Sequence, residues 1–212
     1  MSPRERIAGA QLYLVCDARP REFLAAAIRG GVDVIQLRDK ALGDEDLVTA
    51  AREFRAAADA GGALFILNDR PDLVAACGAD GVHVGQDDGT PAQARAAVGP
   101  DRIVGRSTHA PAQADAADAD PEVDYMAGGP VHATPTKPGR PAAGLEYVEY
   151  AASTVSKPWF AIGGLDAGNV SEVVARGATR VVVVRAIAGA DDPETAARAL
   201  RAALEDRGQA QP

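Results

Sequence analysis

The sequence predicts an α/β protein, a single-domain (β/α)8 TIM barrel. Three observations carry this reading. Short β-rich runs alternate with longer Ala-rich segments eight times along the chain. Several of the helical segments open on proline, at Pro71, Pro91, Pro111 and Pro193, where the missing N–H costs nothing. The 212 residues suffice for eight minimal strand–helix units and little more, near the short end of the range for such barrels.

The elements follow in order. Residues 11–17 (QLYLVCD) read as the first strand and 21–29 as its helix. Residues 33–38 (DVIQLR) give the second strand and 44–60 the next helix. Residues 64–67 form the third strand, and a helix starts from Pro71. Strands four and five occupy 81–84 and 103–107, with a helix from Pro91 between them. A helix from Pro111 leads to the sixth strand at 124–128. A long loop runs to about Pro141, and a helix passes through 145–152. The seventh strand is 159–163, its helix 169–176, the eighth strand 180–185 and the last helix 193–204. The core is expected over about 11–204, with a loose tail over 205–212. Such alternation implies a parallel sheet with right-handed crossovers. An open doubly wound sheet is the alternative. Against it, no GxGxxG follows the first strand, and the repeated GADG and GATR starts suggest equivalent units.

Composition narrows the function. Twenty-two Lys and Arg against thirty Asp and Glu give a net charge of −8. That balance argues against a general nucleic-acid binder, whose affinity rests on cations neutralising phosphates. It leaves room for small anionic ligands in a locally basic pocket. A hydrophobic fraction of 47% is too high for a disordered chain. No apolar run approaches the roughly 18 residues of a membrane helix, and residues 1–10 lack an apolar signal core. Cys16 and Cys77 make neither a disulfide framework nor a zinc spacing, and are expected to be small buried hydrophobes. The expectation is a cytoplasmic protein that binds phosphorylated small molecules, with no nucleic acid and no membrane. A homo-oligomer is left open.

Barrel sites lie at the C-terminal ends of the strands. The second strand ends in Gln36, Leu37, Arg38, Asp39 and Lys40. With a period of two, Gln36, Arg38 and Lys40 share one side, a cradle for a phosphorylated group. The plainer alternative is a solvated strand exit with an Arg–Asp pair. The third strand ends in Asn68 and Asp69, and the loop after the fourth carries Gln86, Asp87 and Asp88. Carboxylates on adjacent loops can share one Mg2+ together with waters and substrate phosphates. Helix capping is the rival account, weaker for Asp87 and Asp88 because Thr90-Pro91 already supplies a cap.

The fifth strand ends in Ser107, Thr108 and His109. Ser107 can donate to a phosphate or a ring nitrogen. His109 lacks a paired nucleophile and reads as structural, as does His83, which faces either the barrel interior or a helix. The Pro- and Gly-rich loop over 128–140 exceeds what closing a barrel needs. Its Thr134, Thr136 and Lys137 suit a lid over an anion. Gly163-Gly164 after the seventh strand and Val184-Arg185 after the eighth suit a phosphate site. No convincing nucleophile–base pair occurs. The combination points to positioning and electrostatic catalysis on phosphorylated substrates, such as displacement of pyrophosphate.

Six motifs, QLRDK (36–40), ND (68–69), GADGVHVGQDD (78–88), STH (107–109), GP…TPTK (129–137) and AIGG (161–164), stand in one order. Over about Leu12 to Pro193 the chain resembles the thiamine phosphate synthase family. The resemblance implies condensation of hydroxymethylpyrimidine diphosphate with hydroxyethylthiazole phosphate, by a dissociative path with Mg2+. It implies that Gln36, Arg38, Lys40, Asn68, Ser107 and Lys137 hold the pyrimidine diphosphate, with Arg38, Ser107 and Lys137 catalytic. It implies Asp69 and Asp88 as metal ligands, with Asp87 less favoured, and Thr134, Thr136, Gly164, Val184 and Arg185 at the thiazole phosphate. Arg185 departs from the family, where many members have Ser. Two rival readings remain. Thiazole tautomerase-like relatives carry a catalytic His where Pro130 stands, and a non-catalytic ligand-binding barrel would not need the carboxylates.

Overall fold

The computed structural model describes residues 1–133 and 142–206. Eight parallel strands close into a barrel in chain order. They are β1 (Leu12–Cys16), β2 (Val34–Leu37), β3 (Leu64–Asn68), β4 (Gly81–Val84), β5 (Ile103–Thr108), β6 (Tyr125–Gly128), β7 (Trp159–Ile162) and β8 (Val181–Val183). Closure is made by β1 and β8, where Tyr13 pairs with Val182.

Most strand positions are buried, because helices cover the outside and side chains fill the inside. Alternation divides them. Tyr13, Val34, Leu64, Ile103, Tyr125 and Phe160 belong to the inner core. Leu12, Leu14, Ile35, Leu37, Phe65 and Leu67 pack outward against the helices. Cys16 and Cys77 are free and buried in that outer layer.

The helices are α1 (Pro3–Gly9), α2 (Arg21–Arg29), α3 (Asp44–Gly61), α4 (Val74–Cys77), α5 (Pro91–Val98), α6 (Pro111–Ala119), α7 (Gly144–Thr154), α8 (Val170–Ala175), α9 (Arg185–Ala188) and α10 (Pro193–Glu205). In α2 the buried Leu24, Ala27 and Ile28 form one stripe at helical spacing. Thr90 caps α5 in a capping box with Gln93.

Three differences from the sequence reading have local causes. The helix α1 is absent from that reading; Ser2 and Glu5 cap it reciprocally, and its Ile7 enters the inner core. The helix from Pro71 is a 3-10 turn over Pro71–Leu73 followed by one turn of α4. The eighth strand stops at Val183, and Arg185 opens α9 instead of ending the strand.

An acidic residue precedes each of three even strands and repeats one device. Asp33 accepts the N–H of Leu12, Asp80 that of Phe65 and Asp124 that of Val104, at 3.0, 2.8 and 2.8 Å. Each also pairs with an arginine, respectively Arg201, Arg55 and Arg95. These carboxylates satisfy backbone donors at the foot of the preceding strand with charge-assisted bonds. The acidic surplus of the sequence therefore has in part a structural use at the barrel floor.

Candidate active site

The opposite end of the barrel holds two cavities that share Ser107. The smaller, about 90 Å3, is lined by Gln36, Arg38 and Lys40 from the end of β2, with Asn68, Asp69 and Asp88. Period-two alternation brings the first three together. The plainer alternative for this strand exit is not what forms. Asp39 accepts the N–H groups of Ala18 and Ala41 at 3.3 and 3.1 Å, and the Arg38 guanidinium has no ion pair among the described residues.

Asp69 sits at φ +59°, left-handed backbone that a non-glycine residue adopts only when its surroundings fix it. Its N–H is held by the His83 carbonyl at 2.9 Å. Its Oδ2 lies 3.2 Å from Lys40 Nζ. Burial, and then the neighbouring Asp88 carboxylate, hold the Asp69 carboxyl above the usual range, while Lys40 opposes them. Both carboxylates line the same small cavity. Asp69 does not cap the turn that follows it, which has no side-chain cap.

Asp88 is placed by its own loop. Its Oδ2 accepts the Gly85 N–H at 3.0 Å, and a Cβ at Gly85 would fall 2.5 Å from that oxygen. Arg106 donates to the Gly85 and Gly89 carbonyls, both at 2.7 Å. Gln86 Nε2 donates to the Ser107 carbonyl at 2.6 Å. Arg106 therefore clamps the acidic loop. Asp87 is exposed and does not line the cavity.

The larger cavity, about 340 Å3, is lined by Gly129, Pro130, Gly163, Gly164, Val184 and Arg185 among others. The segment after β6 continues along the β7 loop. Val131 N–H donates to the Ile162 carbonyl and His132 N–H to that of Gly163. Glycines permit the approach: Gly163 lies at φ +112° and Gly164 at φ +67°, and a Cβ on Gly164 would fall 2.8 Å from His132 Cβ. His109 lines this cavity, with its ring bonded to the Gly129 carbonyl. Arg185 is exposed at the rim. Thr134, Thr136 and Lys137 lie outside the described residues.

Sequence reasoning passes over two interior groups, Tyr13 and Tyr125. Both lie on inward positions of their strands, and their phenols bond to each other at 2.9 Å. His83 joins them, with Nδ1 3.0 Å from the Tyr125 hydroxyl and Nε2 3.0 Å from Ser107 Oγ. It faces the interior.

Comparison with known proteins places this barrel in a family. The thiamine monophosphate synthase family matches residues 12–187. The chain is 50% identical over 207 residues to the thiamine-phosphate synthase of Thermobifida fusca, covering 95% of each. It is 52% identical over 210 residues to that of Thermus thermophilus, covering 92% of this chain and 97% of the relative. The solved thiamine phosphate pyrophosphorylase from Pyrococcus furiosus superposes with a TM-score of 0.87 at 29% identity, over 95% of this chain and 98% of that one. The chain belongs to the thiamine monophosphate synthase family and is a transferase of thiamine biosynthesis.

Proposed function

We propose that the protein joins hydroxymethylpyrimidine diphosphate to hydroxyethylthiazole phosphate, giving thiamine phosphate and pyrophosphate in the cytoplasm. The observation that carries this reading is the pair of cavities meeting at Ser107. One is lined by cations, an amide and two carboxylates, and the other by glycine backbone and Arg185.

In this reading Gln36, Asn68 and Ser107 orient the pyrimidine diphosphate, and Arg38, Lys40 and Lys137 hold its phosphates. Gly164, Val184 and Arg185, with Thr134 and Thr136, hold the thiazole phosphate. The bond from the pyrimidine methylene to the diphosphate oxygen breaks first, and its electron pair leaves with pyrophosphate. The thiazole nitrogen lone pair then forms the new carbon–nitrogen bond. Fixed positive charge beside the leaving group lowers the barrier without reorganisation, and holding both substrates at one junction supplies proximity.

The residues present fit Mg2+. Asp69 and Asp88 offer two carboxylates in one cavity, and no larger cluster of His, Cys, Asp or Glu forms among the described residues. That donor set suits a cation that keeps waters and takes substrate phosphate oxygens. Asp69 and Asp88 would hold the ion, which would supply positive charge to offset that of the diphosphate.

The test is incubation of purified protein with both substrates and Mg2+, with thiamine phosphate and pyrophosphate measured together. Both products should appear in equal amounts only when both substrates are present, stop with EDTA and return with Mg2+. Pyrophosphate released from the pyrimidine substrate alone, or no product at all, would overturn the reading.

A further inference from the structure

An unbroken polar chain crosses the barrel interior. Gln36 Nε2 lies 2.5 Å from the Tyr13 hydroxyl, Tyr13 2.9 Å from Tyr125, Tyr125 3.0 Å from His83 Nδ1, and His83 Nε2 3.0 Å from Ser107 Oγ. All five side chains are buried, none more than 7% exposed. Buried hydroxyls must find partners, and burial keeps both phenols protonated by raising their pKa values.

Proton counting then gives the chain a direction. An amide nitrogen only donates, so the Tyr13 oxygen accepts from Gln36. Tyr13 has one proton, which goes to Tyr125. Tyr125 has one proton, which goes to His83 Nδ1. The His83 ring, with Nδ1 accepting, carries its hydrogen on Nε2 and donates it to Ser107 Oγ. The Ser107 hydroxyl proton is left to point into the shared cavity.

We propose that this relay fixes His83 as the Nε2–H tautomer and aims the Ser107 proton at the ligand, making His83 a positioning residue. The ligand atom opposite Ser107 is then an acceptor, such as an unprotonated aromatic ring nitrogen. That last point rests on the reaction proposed above. Gln36 and Ser107 both line the smaller cavity, so the relay makes the orientation of one dependent on the other through the barrel interior.

The packing holds the relay in register. Phe160 stands edge-on to Tyr13 and to Tyr125, with centroids 5.5 and 5.8 Å away and both interplanar angles 83°. Gly105 gives Tyr125 its space, since a Cβ there would fall 2.2 Å from the Tyr125 ring.

The test is nitrogen-15 NMR of the ligand-free full chain, with the three histidines assigned by single substitutions. Wild type should show His83 protonated on Nε2 and unprotonated on Nδ1. In Gln36→Glu, above neutral pH, the carboxylate accepts from Tyr13 and every bond in the chain reverses. The His83 nitrogens should then exchange roles, with hydrogen on Nδ1. If Gln36→Glu does not fold, Tyr125→Phe serves instead: His83 should lose its single tautomer and populate both.

A wild-type ring protonated on Nδ1 overturns the direction. A ring unchanged by Gln36→Glu, or still a single Nε2–H form in Tyr125→Phe, overturns the coupling. A merely structural His83 would not change tautomer on a substitution three hydrogen bonds away. No substrate is used, so failure of the relay is read independently of whether the wild type makes thiamine phosphate.

Discussion

Lys40 Nζ stands 3.2 Å from Asp69 Oδ2, with the lysine side chain 62% exposed and the carboxylate 19% exposed. An exposed pair of this kind contributes at most about 1 kcal/mol to stability. Its value is therefore electrostatic and local. Lys40→Gln should leave the melting temperature nearly unchanged. It should lower kcat/KM by about tenfold or more, equivalent to about 1.4 kcal/mol of lost charge contact, mainly through KM for the pyrimidine diphosphate. Steady-state kinetics beside a thermal melt checks both halves.

Asp88→Ala removes one of the two carboxylates in the smaller cavity and the acceptor for the Gly85 N–H. The fold should persist, because Arg106 still clamps the loop through two carbonyls. Turnover should fall by about two orders of magnitude, the loss of about 3 kcal/mol of electrostatic stabilisation. The remaining rate should no longer respond to a Mg2+ titration. Turnover that stays at the wild-type level would remove Asp88 from the metal site.

Arg185→Ser should act on one substrate only. The side chain is exposed and lines the larger cavity. The substitution should change stability by no more than about 0.5 kcal/mol and raise KM for the thiazole phosphate severalfold. An effect confined to the pyrimidine diphosphate would overturn the placement of the two substrates.

Gly164→Ala should damage both fold and site. Its φ of +67° and the 2.8 Å approach to His132 Cβ combine left-handed strain of roughly 1–2 kcal/mol with a clash. Urea unfolding should show a loss of about 2 kcal/mol, and affinity for the thiazole phosphate should fall at the same time.

Asp124→Ala tests the barrel floor. Asp124 and Arg95 are each 11% exposed and pair at 2.6 Å, and Asp124 also accepts the Val104 N–H. Removing Asp124 leaves Arg95 paired with Glu122 alone and the Val104 N–H without its carboxylate acceptor, at a cost of about 2 kcal/mol. Chemical unfolding should show that loss, while KM for both substrates stays within about twofold because the site lies at the other end.

Much of the architecture was legible because barrel strands and helices carry local signals. The stretch 21–29 matches α2, and three α-helices begin at Pro91, Pro111 and Pro193, while Pro71 opens a 3-10 turn. Alternation was enough to put Gln36, Arg38 and Lys40 into one cavity. It could not orient His83, because Val82 and Val84 are buried on the other face and both faces of a barrel strand exclude water. Tyr13 and Tyr125 are 112 residues apart, so no local pattern joins them. Helix α1 is short and charged, and its signals were the Ser2–Glu5 pair and Pro3 at its first position. Arg185 was misplaced because a three-valine strand followed by one helical turn reads as a single β run.

The first helix seals the floor. Ile7 fills the inner core from below, Arg6 and Arg4 tie that segment to the Gly62 carbonyl and to Asp124, and Arg180 donates to its Ala8 carbonyl. With Ile7 packed into the base, both cavities lie toward the C-terminal ends of the strands. On the proposed reaction, two substrates and two products, all anionic, must pass the same rim. Charge there acts on traffic in both directions: a stronger cation speeds capture and slows escape. On that reaction, Arg185 at the rim would also govern how long the anionic product lingers before the next turnover.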